Sequence, residues 1–210
     1  MPISSKKSLN KLKEEITTCK KCLDLVRTRK QPVPGTGASN SKIMIVGHYP
    51  TEKGAEESGI PFTNDDNGKL VIEILNNLNL SLEENTYLTY LIKCTPRKII
   101  TEGGREIIRL SEPAIKHINN CLNFLIEEIS VITPHIIISL GLEITNILLE
   151  NFFSIEKKYT DIGKLHMRLF ENPSFKLMPF YGLEDISRKL ISKEKYFEDF
   201  MSLSKLLSII

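Results

Sequence analysis

The chain has 210 residues, 41% of them hydrophobic and 26% charged, with a formal net charge of +2. That length suits one domain spanning 1–210 that buries a sizeable core without disulfide staples. A charge so near neutral neither demands nor excludes nucleic acid, so any basic surface has to be local.

The start, MPISSKKSLNKLKEE, lacks the apolar core of a signal peptide. Residues 1–18 read as a polar N-terminal helix, with Leu9, Leu12 and Ile16 at helical spacing. QPVPGTGASNS, 31–41, is a loop by its prolines and glycines. Ile43–Gly47 is an apolar run of strand length, as expected of a strand buried on both faces. A polar, Gly- and Glu-rich stretch over 48–68 leads into a helix over 69–78. A second strand fits Tyr87–Ile92, and 95–112 is a loop carrying Arg97, Lys98, Arg105 and Arg109. A helix fits 113–130, a third strand Ile136–Leu140, a helix 142–150, a fourth strand Phe175–Pro179, and a helix 183–208. Strands alternating with helices predict a three-layer α/β/α sandwich on a short, mostly parallel four-stranded sheet. In such sheets the site lies beyond the carboxyl ends of the strands. The longest apolar runs are too short to span a bilayer, so the expectation is a cytoplasmic monomer with no membrane partner.

In the cytoplasm thiols stay reduced, so the four cysteines are either buried and inert or metal ligands. Cys19 and Cys22 form C-x-x-C, a spacing that lets both sulfurs face one metal and is shared by zinc, iron–sulfur and redox sites. Cys94 follows a strand and Cys121 falls in a helix. Spacing alone leaves open whether these two join a metal site or are small buried hydrophobes, and does not separate zinc from iron. A thioredoxin-like role is disfavoured, because no strand precedes the C-x-x-C.

The order of motifs resembles the iron–sulfur branch, family 4 and its relatives, of the uracil-DNA glycosylase superfamily. The resemblance runs over about 19–183. It is carried by Cys19-Lys20-Lys21-Cys22-Leu23, an arginine at 27 or 29, Val33-Pro34-Gly35-Thr36-Gly37, Ile43–Gly47 with Pro50, Gly59-Ile60-Pro61-Phe62 and Gly68-Lys69-Leu70. Further matches are Tyr87–Pro96 around the third cysteine, Cys121–Leu125 and Thr133–Gly141. The resemblance implies that Cys19, Cys22, Cys94 and Cys121 hold a structural 4Fe-4S cluster, with zinc the lesser candidate, and that the partner is DNA, single- or double-stranded. One spacing departs. Between Cys94 and Cys121 lie 26 residues, more than family 4 usually has. An inserted loop of this kind resembles the branch that becomes covalently trapped on uracil-DNA through a histidine; Arg109 stands near that place, so trapping is not expected.

Excising a base from DNA requires flipping it into a snug pocket, stacking it, reading its edge, stabilising the departing anion and handling water. The resemblance assigns the stacking aromatic to Phe62 and the first motif to Gly47, with Tyr49 beside it. The acidic residue that follows that glycine in the family is His48 here, able to orient water or act as a base. Glu57, with Glu56, falls near a second acidic pair. The base-reading asparagine expected after Thr89 is Tyr90, which offers one hydroxyl and far more volume. The H-P-S motif reads Met178-Pro179-Phe180, and Met178 donates no hydrogen bond. Losing one such donor costs about 10²–10³ in rate. Lys93, Arg97, Lys98, Arg105, Arg109 and Lys164 are the candidate phosphate contacts. The expected activity is glycosylase hydrolysis of a deaminated or damaged base with altered or weakened uracil recognition. The rivals are a non-catalytic DNA-binding descendant that keeps fold and cluster, and a zinc-stabilised domain with no DNA role.

Overall fold

A computed structural model describes residues 8–207. Four parallel strands form its centre: β2 (Ile43–Gly47), β3 (Thr86–Tyr90), β6 (Ile136–Leu140) and β8 (Lys176–Phe180). Two two-residue strands, β1 (Thr36–Gly37) and β7 (Phe170–Glu171), close the edges antiparallel, giving the order β1-β3-β2-β6-β8-β7. The main sheet therefore has six strands, not the expected four. Segments of two residues are too short to carry an alternating pattern, and their pairing comes from the loops that bring them alongside.

Every residue of β2, β3 and β6 is buried, because helices cover both faces. Side chains alternate between those faces along each strand. Ile43, Ile45, Leu88 and Ile138 pack with Leu70, Ile74 and Leu75 of α4 (Asp66–Asn77) and with Tyr196 and Phe200 of α8 (Lys193–Met201). Met44, Val46, Tyr87 and Ile137 pack on the other face with Leu125 and Ile129 of α5 (Ile115–Ile132) and with Ile144 and Leu148 of α6 (Leu142–Phe153). These are the three layers expected.

The helix over 1–18 is found as α1 (Leu9–Thr17), started by Ser8, whose hydroxyl accepts from Lys11 N at 3.3 Å; positions 1–7 lie outside the described residues. Helix α4 starts earlier than its apolar spacing indicates because Asp65 caps it, accepting from Gly68 N at 2.7 Å. The C-terminal helix is broken into α7 (Leu183–Ser187), α8 and α9 (Ser204–Leu207). Lys189 at φ 59° turns the chain, and the Ser192 hydroxyl restarts the helix.

The expected basic loop 95–112 is a hairpin, β4 (Arg97–Glu102) against β5 (Arg105–Leu110). Gly103 and Gly104, at φ 57° and 77°, supply the two positive dihedrals of a type I′ turn. Ser111 N donates to Pro96 O at 3.2 Å and closes its base. Arg97 pins that base down: its guanidinium donates to both Glu56 carboxylate oxygens and to Glu52 Oε1 at 3.1 Å. Glu56 belongs to the short helix α3 (Ala55–Ser58).

Candidate functional site

Gly47 and Tyr90, the last residues of β2 and β3, are register partners at the carboxyl edge of the sheet. Phe62 enters from the loop ahead of α4. Its ring lies 4.6 Å from the Tyr90 ring, at 37°, and its main-chain N–H donates to the Tyr90 hydroxyl at 3.0 Å. Phe62 sits at φ 54°, a left-handed conformation that a bulky residue adopts only when its surroundings impose it. The absence of side chains at two glycines makes the space. A Cβ on Gly47 would stand 2.9 Å from both rings, and one on Gly68 would stand 2.6 Å from the Phe62 carbonyl. Phe62 and Tyr90 are 3% and 5% exposed, so neither face of the Phe62 ring is open to solvent. Met178, register partner of Ile138 on β8, is buried in the same apolar cluster. Burial raises the Tyr90 phenol well above its usual value, so the hydroxyl stays neutral.

His48 and Tyr49 follow Gly47, their rings 4.8 Å apart. Burial pushes His48 down to about 4, so the imidazole is neutral near pH 7. Its Nε2 lies 3.5 Å from Glu143 Oε2, too long for a formed hydrogen bond. Burial raises Glu143 and Glu184 above the usual carboxylate range, and Glu112 adds to both shifts.

About the start of α2 (Leu23–Thr28), all four cysteines line one cavity with Ile16, Leu25, Pro32 and Phe124. All four are free thiols. Arg29 ties two of their loops together: Nη1 donates to Cys94 Sγ at 3.0 Å and Nη2 to the Cys19 carbonyl at 2.5 Å. Asn120 Nδ2 donates to Cys22 Sγ at 3.4 Å. Burial raises the Cys94 thiol, with Arg29 opposing it, and pushes Cys121 up to about 12, with the Lys93 main-chain N–H opposing it. Among the described residues no three His, Cys, Asp or Glu side chains are already drawn into a closed ligating set. The wall nevertheless fits a sulfur-bound centre. It offers four thiols, N–H donors aimed at sulfur, and Lys21, Arg29 and Lys93 to offset thiolate charge.

Residues 34–201 match the family model described as the uracil DNA glycosylase superfamily. The chain belongs to that superfamily. It is 28% identical over 205 residues to a type-4 uracil-DNA glycosylase of Archaeoglobus fulgidus, covering 95% of this chain and 93% of the relative. It is 32% identical over 179 residues to the type-4 enzyme of Sulfurisphaera tokodaii, covering 83% and 73% respectively. The type-4 enzyme of Pyrobaculum aerophilum is 30% identical over 192 residues, 91% of this chain and 90% of the relative.

Within this superfamily member, Gly47, His48, Tyr49, Phe62 and Tyr90, expected at a base pocket, gather at the carboxyl end of β2 and β3, whereas Met178 sits mid-strand on β8, level with Ile45, in the same apolar cluster as Phe62 and Tyr90; the cysteines gather at one cavity. Several expectations need correction. Lys93, expected on phosphate, is 2% exposed, and its ammonium donates to Glu128 Oε2 (2.7 Å), Thr89 Oγ1 (2.6 Å) and Tyr90 O (2.6 Å). Arg97 is likewise buried on Glu56 and Glu52. Lys93 spends all three of its donors inside the protein, and Arg97 is held by two carboxylates, so neither cation is displayed for DNA. Glu57 is exposed and ion-paired with Lys30, while its neighbour Glu56 is the buried anchor of Arg97. Lys98, Arg105 and Arg109 stand on the exposed hairpin, although Arg109 donates to both Glu102 oxygens at 3.0 Å. Lys164 is exposed in a short 3-10 turn, Ile162–Lys164. Sequence reasoning missed Glu128 and Glu143. Nothing in a helical pattern marks Glu128 as the partner of Lys93, but Glu143 stands two residues past a strand-ending glycine, where α/β sites collect.

Proposed function

We propose that this chain is an iron–sulfur DNA glycosylase that hydrolyses the N-glycosidic bond of a flipped, deaminated or damaged base, with uracil recognition altered or weakened. The observation that carries the reading is the Gly47–Phe62–Tyr90 constellation at the strand ends. It keeps a stacking aromatic in a water-poor wall and changes the group that faces the base. Phe62 would stack on the flipped base once the Tyr90 ring yields, Tyr90 would select the base by volume and its single hydroxyl, and His48 would handle water. Met178 adds apolar surface where a hydrogen-bond donor would favour a base anion. Lys98, Arg105, Arg109 and Lys164 would meet phosphate. Cys19, Cys22, Cys94 and Cys121 would hold a 4Fe-4S cluster, which would fix the loops that its thiolates join and have a structural rather than redox role.

A second reading, a non-catalytic DNA-binding descendant, is favoured by one observation. Phe62 has no open face, so a base enters only if Tyr90 moves. One assay separates the two. The protein is incubated with single- and double-stranded oligonucleotides bearing uracil, hypoxanthine or xanthine, and abasic sites are then cleaved. Abasic product that disappears in His48→Ala sinks the non-catalytic reading. No product on any lesion, with salt-sensitive DNA binding retained, sinks the enzyme. For the metal, a brown protein with broad visible absorption supports iron–sulfur, and a colourless one with stoichiometric zinc rejects it.

A further inference from the structure

His48 leaves β2 at the sheet's carboxyl edge, and its Nε2 is shut off from solvent with no hydrogen-bond partner among the described residues. A polar atom left so is costly, and asks for an explanation. The adjacent strand, β6, delivers one. Three residues past its end, in the first turn of α6, Glu143 places Oε2 at 3.5 Å from that nitrogen. Its side chain is half exposed, so the carboxylate reaches both the imidazole and solvent. Catalytic hydrogen bonds are often long in the free enzyme and tighten once substrate excludes water. The other charged groups nearby, Glu112, Glu184 and Arg188, act on the neighbouring Tyr49, whose ring packs on the imidazole. Glu112 and Lys158 act on Glu143 itself. A closed pair of the same kind exists elsewhere in the protein: His166 Nε2 meets Asp199 Oδ2 at 2.9 Å.

We propose that Glu143 is a positioning residue for His48, its carboxylate accepting a hydrogen bond from Nε2–H and so fixing the tautomer that leaves Nδ1 free to orient water. The water step rests on the glycosylase reading; the pairing rests on the unpartnered Nε2 and the carboxylate that approaches it. In that step the C1′–N bond breaks and its electron pair leaves on the base. A lone pair of the water oxygen forms the C1′–O bond, and the water proton passes to Nδ1. The imidazolium so formed is held by the Glu143 carboxylate until it returns the proton to solvent. Glu143 touches neither base nor sugar.

The test reads the tautomer directly. Nitrogen-15 spectra of the histidine side chains are recorded for the unaltered protein, Glu143→Ala, Glu143→Asp and, as a neighbouring-charge control, Glu112→Gln. The unaltered protein and Glu112→Gln should show His48 protonated at Nε2. Glu143→Ala should lose that preference and Glu143→Asp should recover it in part, with the His166 signals unmoved as proof of an intact fold. Against a lesion that the protein cleaves, Glu143→Ala should lower kcat about tenfold or more with KM unchanged. An Nδ1–H tautomer in the unaltered protein, or a His48 spectrum identical in Glu143→Ala, overturns the proposal. Absence of abasic product from the unaltered protein overturns the glycosylase reading instead, and the spectra still decide the pairing.

Discussion

Replacing Tyr90 by Phe deletes one oxygen and keeps the ring that packs on Phe62. That oxygen is the acceptor of the Phe62 main-chain N–H at 3.0 Å, in a place from which water is excluded. The variant therefore leaves a buried donor unpaired, at a cost of about 1–3 kcal/mol. Phe62 already holds a left-handed backbone at φ 54°, a conformation worth about 1–3 kcal/mol of strain when nothing supports it. Both terms act on the loop between α3 and α4. For a chain of this length 1 kcal/mol moves Tm by about 2–4 °C, so Tyr90→Phe should lower Tm by roughly 2–12 °C. Amide exchange at Phe62 should accelerate by more than exchange in β6. Thermal unfolding at fixed metal content and hydrogen exchange make the two measurements. A variant with unchanged Tm and an equally protected Phe62 amide would refute the claim that the hydroxyl holds this loop. Tyr90→Asn removes the ring as well; it should cost more stability and raise the yield of abasic sites on uracil oligonucleotides relative to the unaltered chain.

Lys93→Met strands the fully buried Glu128 carboxylate and should destabilise by about 3–5 kcal/mol in urea. Adding Glu128→Leu should recover only part, because Gly35 N, Tyr87 Oη and Thr89 Oγ1 also donate to that carboxylate. On DNA, Lys98→Ala and Arg105→Ala should each reduce the slope of log K against log salt by about 1, measured by anisotropy titration. Acid should act through His48. Its folded value of about 4 lies below the ordinary 6.5, so the unfolded chain takes the proton first. Stability from this group is complete above pH 6.5 and is lost as pH falls towards 4, by roughly 3 kcal/mol. His48→Gln should flatten urea midpoints across that window, and an unchanged slope would sink the burial argument.

The central strands were legible because continuous apolar runs such as Ile43–Gly47 and Ile136–Leu140 have no other comfortable place than a sheet covered on both faces. The hairpin was less so. Gly103-Gly104 between Ile99-Ile100 and Ile107-Ile108 is a hairpin signal, but four interspersed cations drew attention to charge before geometry. Charge likewise misdirected the reading of Lys93 and Arg97. A buried cation announces itself only through its anion, and Glu128 and Glu56 lie 35 and 41 residues away in sequence. The cysteines were readable as a group because their chemistry is specific. The Phe62–Tyr90 stack was readable as a substitution, but not as contact, since the left-handed turn that swings Phe62 inwards depends on the room at Gly47 and Gly68.

The hydrogen bond from Ser111 N to Pro96 O gives the hairpin a latch at its root. Seen from the body of the protein, the chain leaves and returns at nearly one point, so whatever lies between 97 and 110 is a cartridge rather than a strut. With Arg97 kept on Glu56 and Glu52, exchanging the tip should leave Cys94 on one side and the helix carrying Cys121 on the other in place. A lineage with such a seam can change its surface there without renegotiating how it folds.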